Sequence, residues 1–393
     1  MGNGTLHDST NSTGFRRPIP KRTLGPAESN QHSTYRFPES PMRFPPRTAV
    51  LVGLTAACTH TDPFTSGNTA LGGPRDPTPP VRLTYNAGRD LTPAWGSASG
   101  GWAYAFEAGT TDRDICLGML PASGGTRLYE KCDPRDPNHQ LQDVMLDPAE
   151  SPTGRVAWVE THMMPGLYPP VRASLRVGSW AATDTGSLVR PLPYFAPGGA
   201  TYATQHHLTW LGRDTLVVVA AGVAYSQPGG CSFCKLDTLL LDPEIVLYDL
   251  SQTPVTEAVL DGTRGATSVR ASEDRTALLF TREADSRVLL YSLRTGDTLD
   301  LFDFGTGRRV RDASRVGNRL WAIVDGTPGQ SGADLGGSVS AVDLLTGQES
   351  LRLDPDRLYR HAAVAPSGTP AVVEGYVIAT PVSPVSDLWL VDQ

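Results

Sequence analysis

The sequence predicts an all-β fold, a propeller of six four-stranded antiparallel blades closed by an N-terminal strand. Three observations carry that expectation. One phrase recurs six times between Leu91 and Gln393: a short strand, a Gly- or Asp-based turn, an apolar strand, a loop, and a second apolar strand ending near Asp-Leu. The period of about fifty residues suits a blade that cannot bury its apolar face without neighbours. A spare strand at residues 81–85 precedes the first repeat, while in the last repeat Gln393 directly follows the third strand. Pairing of that spare strand beside residues 386–392 closes the ring and removes two open strand edges.

Taken in order, the turn-and-strand halves lie at residues 96–106, 151–158, 211–218, 272–280, 315–321 and 365–373. The second apolar strands lie at 114–120, 173–177, 244–250, 287–293, 338–344 and 386–392. Loops joining the two halves are long in the second, third and fifth repeats, at 161–172, 222–243 and 325–337, whereas the turns of the opposite face are tight. Long loops in a compact ring are commonly functional. They carry Tyr168, Tyr225, Phe233 and Asp334, with Tyr202, His206 and His207 arriving on the same side. This face is the expected ligand-binding surface.

Upstream, Met42-Arg-Phe-Pro-Pro-Arg47 is a short basic region, residues 48–57 are apolar, and Cys58 follows Leu54-Thr-Ala-Ala57. That order is the pattern of a secretory signal peptide. The segment resembles a bacterial lipoprotein signal, which implies lipidation of Cys58, although Thr55 stands where such signals favour Leu. Residues 42–58 are thus expected to be the signal and its lipidated Cys, with 59–80 a flexible linker and 81–393 the propeller. Residues 1–41, rich in Ser, Thr, Asn, Pro and Arg, are either a disordered extension or a reading frame begun too early, with Met42 the true start. The expected location is the cell envelope, periplasm-facing or extracellular, with acyl chains as the membrane anchor.

Residues 1–57 hold seven basic and three acidic side chains, so of the formal net charge of −7 the remainder of the chain carries −11. Such an acidic domain without a basic stripe repels phosphate backbones, and nucleic acid is not an expected partner. Beyond Cys58 there are four cysteines, an even number suited to disulfides in an exported chain. Cys116 is expected to pair with Cys132, and Cys231 with Cys234, though the spacing alone allows three connectivities. The Cys231-Ser-Phe-Cys234 sequence lacks the His of a haem attachment site, a following helix for thioredoxin-type chemistry, and further ligands for zinc. It reads best as a loop staple.

No Gly-x-Ser-x-Gly elbow, His-Glu-x-x-His pair or phosphate-cradling Gly-x-x-x-x-Gly-Lys occurs, so no catalytic residue, metal or cofactor is assigned. His162 with Met163 and Met164, and the pair His206-His207, are the metal-type groupings considered and set aside as packing or rim residues.

The units Ser151-Pro-Thr-Gly-Arg-Val-Ala-Trp158, Tyr291-Ser-Leu-Arg-Thr-Gly296 and Asp343-Leu-Leu-Thr-Gly347 resemble the repeats of TolB-type, WD40-like propellers. The resemblance spans 81–393, with Thr153 or Ser367 where the family's turn has Asp. It implies a six-bladed envelope protein acting as an interaction platform for a protein, peptide or glycan, without chemistry. The alternative is a propeller enzyme, a lyase, lactonase or cyclase, with a metal or carboxylate at the channel mouth. The regulatory half of a peptidase is a third reading.

Overall fold

A computed structural model describes residues 80–85, 88–108, 115–132, 144–163, 171–190, 201–226, 237–240, 242–325, 336–352, 357–377 and 386–392. They are all β, with no helix among them. The strands are β1 (Val81–Arg82), β2 (Asp90–Gly96), β3 (Gly101–Glu107), β4 (Ile115–Pro121), β5 (Tyr129–Lys131), β6 (Val144–Glu150), β7 (Val156–Met163), β8 (Val171–Gly178) and β9 (Ser187–Arg190). There follow β10 (Thr201–Trp210), β11 (Thr215–Ser226), β12 (Asp237–Leu240), β13 (Glu244–Asp249), β14 (Thr256–Val259), β15 (Ala266–Ala271), β16 (Ala277–Arg282), β17 (Arg287–Ser292) and β18 (Thr298–Asp303). The chain continues with β19 (Arg309–Val316), β20 (Arg319–Asp325), β21 (Ser338–Asp343), β22 (Gln348–Arg352), β23 (Arg357–Val364), β24 (Ala371–Val377) and β25 (Ser386–Asp392).

These strands form antiparallel four-stranded blades in a β-propeller. The paths β15-β16-β17-β18 and β19-β20-β21-β22 are single blades, and β10-β11-β13-β14 is another with β12 added to β11. A further sheet runs β1-β25-β24-β23. The largest sheet, β2-β3-β4-β6-β7-β8-β9 with β5 on β4, is continuous through one parallel bridge, Ile115 to Val144.

The second strand of each blade is apolar on both faces because both are covered by neighbouring blades. Trp102–Phe106 of β3, Leu216–Ala220 of β11, Leu278–Phe280 of β16 and Leu320–Val324 of β20 are buried throughout. Such continuous apolar runs are the expected pattern for strands covered on both sides. Core clusters span successive sheets: Leu175 and Val177 of β8 with Leu216 and Val218 of β11, Val217 and Val219 of β11 with Leu278 and Phe280 of β16, and Leu279 of β16 with Leu320 and Ala322 of β20. Outermost strands face solvent, and every side chain of β14 is exposed.

Tight turns follow from local hydrogen bonding. Ser151 Oγ accepts from the backbone N–H of Arg155 at 3.0 Å, while Gly154 takes φ of 80°, a conformation that side-chain-bearing residues resist. In the corresponding turn of the β15–β16 hairpin, Ser272 Oγ accepts from Ala277 N at 3.0 Å.

Strand β1 is shorter than the 81–85 segment predicted, because after Arg82 the pairing passes to a side chain. Leu83 N donates to Leu388 O at 2.8 Å, and Leu388 N then donates to Thr84 Oγ1 at 2.9 Å. The stretch 222–243, read as a loop, is in large part a hairpin: β11 runs on to Ser226 and pairs with β12, Tyr225 standing opposite Thr238. Val223 and Tyr225, of β-favouring type, suit this extension. Similarly, β7 and β8 extend into the predicted loop 161–172 as far as Met163 and from Val171.

The disulfide Cys116–Cys132 is formed, with Cα atoms 4.5 Å apart. Nearby, the buried Lys131 aims its ammonium at Ala181 O, 3.0 Å away, and lies 4.8 Å from the centroid of the Trp158 ring. Cys58, Cys231 and Cys234 lie outside the described residues, as do Tyr168, Phe233 and Asp334.

Candidate functional site

The innermost strands carry the site, and a shared irregularity aims their side chains. In β2, β6, β10, β15, β19 and β23 the register slips at the same place, between Leu91 and Ala94, Leu146 and Ala149, His206 and Thr209, Ala266 and Ser268, Val310 and Asp312, and Tyr359 and Ala362. A bulge of this kind turns the extra residue out of the ladder. At three of these slips a side-chain-bearing residue takes a left-handed backbone, Thr92, Asp147 and His207 with φ of 48°, 51° and 51°. For a β-branched residue such as Thr92 that conformation is a true outlier.

The bulges bring buried polar groups from separate blades together. Asp312 is fully buried, Glu374 is 1% exposed and His207 8% exposed. Asp312 Oδ2 receives Ala362 N at 3.0 Å and Arg270 Nη2 at 3.2 Å, and its Oδ1 receives Ala313 N at 2.9 Å. Glu374 Oε2 accepts Thr92 N at 2.7 Å, and Glu374 Oε1 accepts the Tyr376 hydroxyl. His361 sits between these carboxylates, Nδ1 at 3.6 Å from Asp312 Oδ2 and Nε2 at 3.8 Å from Glu374 Oε2. Its ring lies 5.0 Å from that of His207.

Backbone donors extend the network across blades. Asp147 N donates to Thr92 Oγ1 at 3.3 Å, His207 N to Asp147 Oδ2 at 3.3 Å, and Ala271 N to Thr209 Oγ1 at 3.3 Å. Thr281 Oγ1 donates to Arg311 O at 3.2 Å, and Ser386 Oγ to Asp90 O at 2.8 Å. The residual void among Thr92, Asp147, His207, Arg270 and His361 is about 10 Å³, near the minimum for one water.

Electrostatics follow from this packing. Burial alone would raise the Asp312 carboxyl, but Arg270, His361 and His207 outweigh it and hold Asp312 well below the ordinary carboxylate range. For His361, burial disfavours the charged ring, yet Glu374, Asp312 and Asp147 prevail and raise it above the ordinary histidine value.

His207, Asp312 and His361 place ligand-type atoms within 4.8 Å of one another. Donors around a tetrahedral ion with bonds of 2.0–2.2 Å stand about 3.4 Å apart, so this group is too open as it stands. Arg270, a permanent cation 3.2 Å from Asp312 Oδ2, already occupies the position beside that carboxylate which a metal would need. The donor set fits an internal ion-pair hub better than a metal centre.

Of the residues selected from sequence, His207 belongs to this hub, buried at the bulge. Tyr202 and His206 lie on β10, opposite Gly222 and Val219, and Tyr225 lies on β11. Sequence reasoning missed Thr92, Asp147, Arg270, Asp312, His361 and Glu374. Five of them stand within a few residues before a tight turn in their repeats, so superposing the repeats on those turns would have exposed the position.

Two larger cavities flank the hub. One, of about 320 Å³, opens on the tight-turn face beside Trp95, Glu150, Trp210, Arg275 and Pro366. Glu150 is fixed there, accepting Ser99 N at 2.8 Å and Trp180 Nε1 at 2.9 Å. The other, of about 280 Å³, lies toward the opposite face.

No protein-family model and no curated protein matches the chain. Among solved structures it is similar to TolB from Acinetobacter baumannii, with 16% identity over 78% of this chain and a TM-score of 0.41; the match spans 63% of that TolB chain. It is also similar to a gluconolactonase from Xanthomonas campestris, with 14% identity, 79% and 88% of the two chains covered, and a TM-score of 0.45. A third is an oligogalacturonate lyase in complex with manganese, with 9% identity, 81% and 94% covered, and a TM-score of 0.41.

Proposed function

We propose that the chain is a six-bladed envelope lipoprotein whose propeller binds a protein, peptide or glycan through its long-loop face, without chemistry. Division of the largest sheet at its single parallel bridge gives blades β2–β5 and β6–β9, and β1 completes the blade of β23, β24 and β25. Core clusters between β3 and β6, and between β4 and β24, support a ring closed in this way. The anchor is a lipid on Cys58, with 42–58 as its signal, 59–80 a linker, and 1–41 an extension or an upstream frame.

One observation carries the binding reading: the axial carboxylates are already taken by the protein's own donors. Asp312 accepts three hydrogen bonds and Glu374 two. A general base or metal ligand must present free lone pairs to substrate. Carboxylates that already hold two or three of the roughly four hydrogen bonds open to them stiffen a scaffold, leaving recognition to the faces.

Capture of one stoichiometric envelope component by the C-terminally tagged chain, abolished by substitutions at Tyr202 and Tyr225, tests the platform. Absence of any such component from envelope protein and glycan extracts would remove it. For the anchor, Cys58→Ser is expected to move the protein from the membrane to the soluble fraction with an unchanged melting temperature, and membrane retention by that variant rejects lipidation.

The His207, Asp312 and His361 grouping is the specific observation on the side of a propeller enzyme. About one equivalent of a divalent ion retained on purification, and lost in His361→Ala, would favour that reading over the platform.

A further inference from the structure

The cavity of about 280 Å³ toward the long-loop face is lined by four arginines, Arg282, Arg309, Arg311 and Arg360, together with His361 and Glu283. Arg309 and Arg311 share a single buried carboxylate, Asp325, at 2.9 and 2.7 Å. Arg360 lies over the Tyr376 ring, 4.5 Å from its centroid, and Arg282 over Phe280 at 5.4 Å, so aromatic faces orient both forks. Arg282 Nε is buried and has no hydrogen-bond partner among the described residues. A buried unsatisfied donor calls for an acceptor.

We propose that this cavity is a binding site for a small organic anion, recognised through a carboxylate or phosphate group held by the arginine cluster. The inference rests on the reading of the long-loop face as the binding face and names the chemistry recognised there. Four guanidinium groups gather positive charge at this cavity, with Glu283, Asp325 and Asp285 among the carboxylates beside them, in a chain whose net charge is −7. Arginine, with its planar fork, binds oxyanions in a bidentate manner that lysine does not reproduce. The volume is near the lower end of small-molecule sites, roughly 300–1,000 Å³, which suits a metabolite-sized ligand.

The test is isothermal titration of the full chain with citrate and with inorganic phosphate, at ionic strength matched with chloride. At least one is expected to bind with a Kd below about 1 mM. Arg282→Gln is expected to weaken it roughly tenfold or more, as loss of a charged hydrogen-bonding group does. Arg282→Lys, which keeps the charge, provides the same comparison should the Gln variant not fold, with a smaller loss expected. Arg275→Gln, on the opposite face, is expected to leave affinity unchanged. Preference for citrate identifies a carboxylate ligand, and preference for phosphate a phosphorylated one. Binding of neither below about 10 mM, or equal affinity in the wild type and the folded Arg282 variants, overturns the proposal. Capture of an envelope component with no anion binding would leave the platform reading standing and remove this inference alone.

Discussion

At the scale of single residues, Asp312 is the group on which the axis depends most. It lies between Arg270 and His361 with no exposure of its own, so removing its charge strands two cations in a water-poor site. Breaking a buried pair from one side destabilises by about 3–5 kcal/mol. Asp312→Ala is therefore expected to lower the urea unfolding free energy by about that amount, and a loss below about 1 kcal/mol would mean that solvent already screens the pair. The pH dependence follows from the two shifts. Asp312 is lowered in the fold, so its contribution is complete above about pH 3.9 and is lost as pH falls through the lower folded value. His361 is raised, so its contribution is complete below about pH 6.5 and is lost as pH rises through the folded value. Their joint contribution is greatest between about pH 4 and 6.5. Urea midpoints from pH 3 to 9 should decline on the alkaline side, and His361→Gln should flatten that decline while weakening, but not abolishing, the acid limb, since Arg270 still holds Asp312 low.

At the scale of elements, the strands divide by how far their composition declares them. The second strand of each blade was legible because burial on both faces demands an uninterrupted apolar run such as Leu216-Val-Val-Val-Ala220. Short outer strands were not: β5 is Tyr-Glu-Lys, and its position is set by pairing with β4, by the Cys116–Cys132 link and by the buried contacts of Lys131, none of which its composition declares. The bulges were hidden from residue type, since Thr92, Asp147, His207, Asp312 and His361 are not of one kind; what they have in common is a place three or four residues before their tight turns. Two predictions belong here. A Cβ at Gly101 would stand 2.1 Å from Leu120 O, so Gly101→Ala must separate β3 from β4 and is expected to destabilise by about 1–3 kcal/mol, read by thermal melting. Reduction of Cys116–Cys132, which closes a 16-residue separation, should destabilise by about 3 kcal/mol, checked by urea titration with and without reductant.

At the scale of the whole molecule, β1 links the beginning of the described fold to its end. Arg82 pairs with Asp387 at 2.7 Å, and Val81 and Leu83 pack with Trp102, Tyr104, Leu388 and Leu390. Val81→Asp places an unpaired charge in that cluster and is expected to destabilise by several kcal/mol in one cooperative transition, because the cluster joins β3 and β4 to β24 and β25. An unchanged melting curve would show that the segment contributes nothing to the stability of the fold.

The buried ammonium beside Trp158 has a practical corollary. The chain contains lysine at only three positions, 21, 131 and 235, and Lys131 alone falls among the described residues, with none of its surface open to solvent. Acylating reagents can therefore reach this side chain only when the corner formed by β5 and the turn at Ala181–Asp184 comes apart. Its rate of labelling, followed by mass spectrometry, is a built-in clock for local opening.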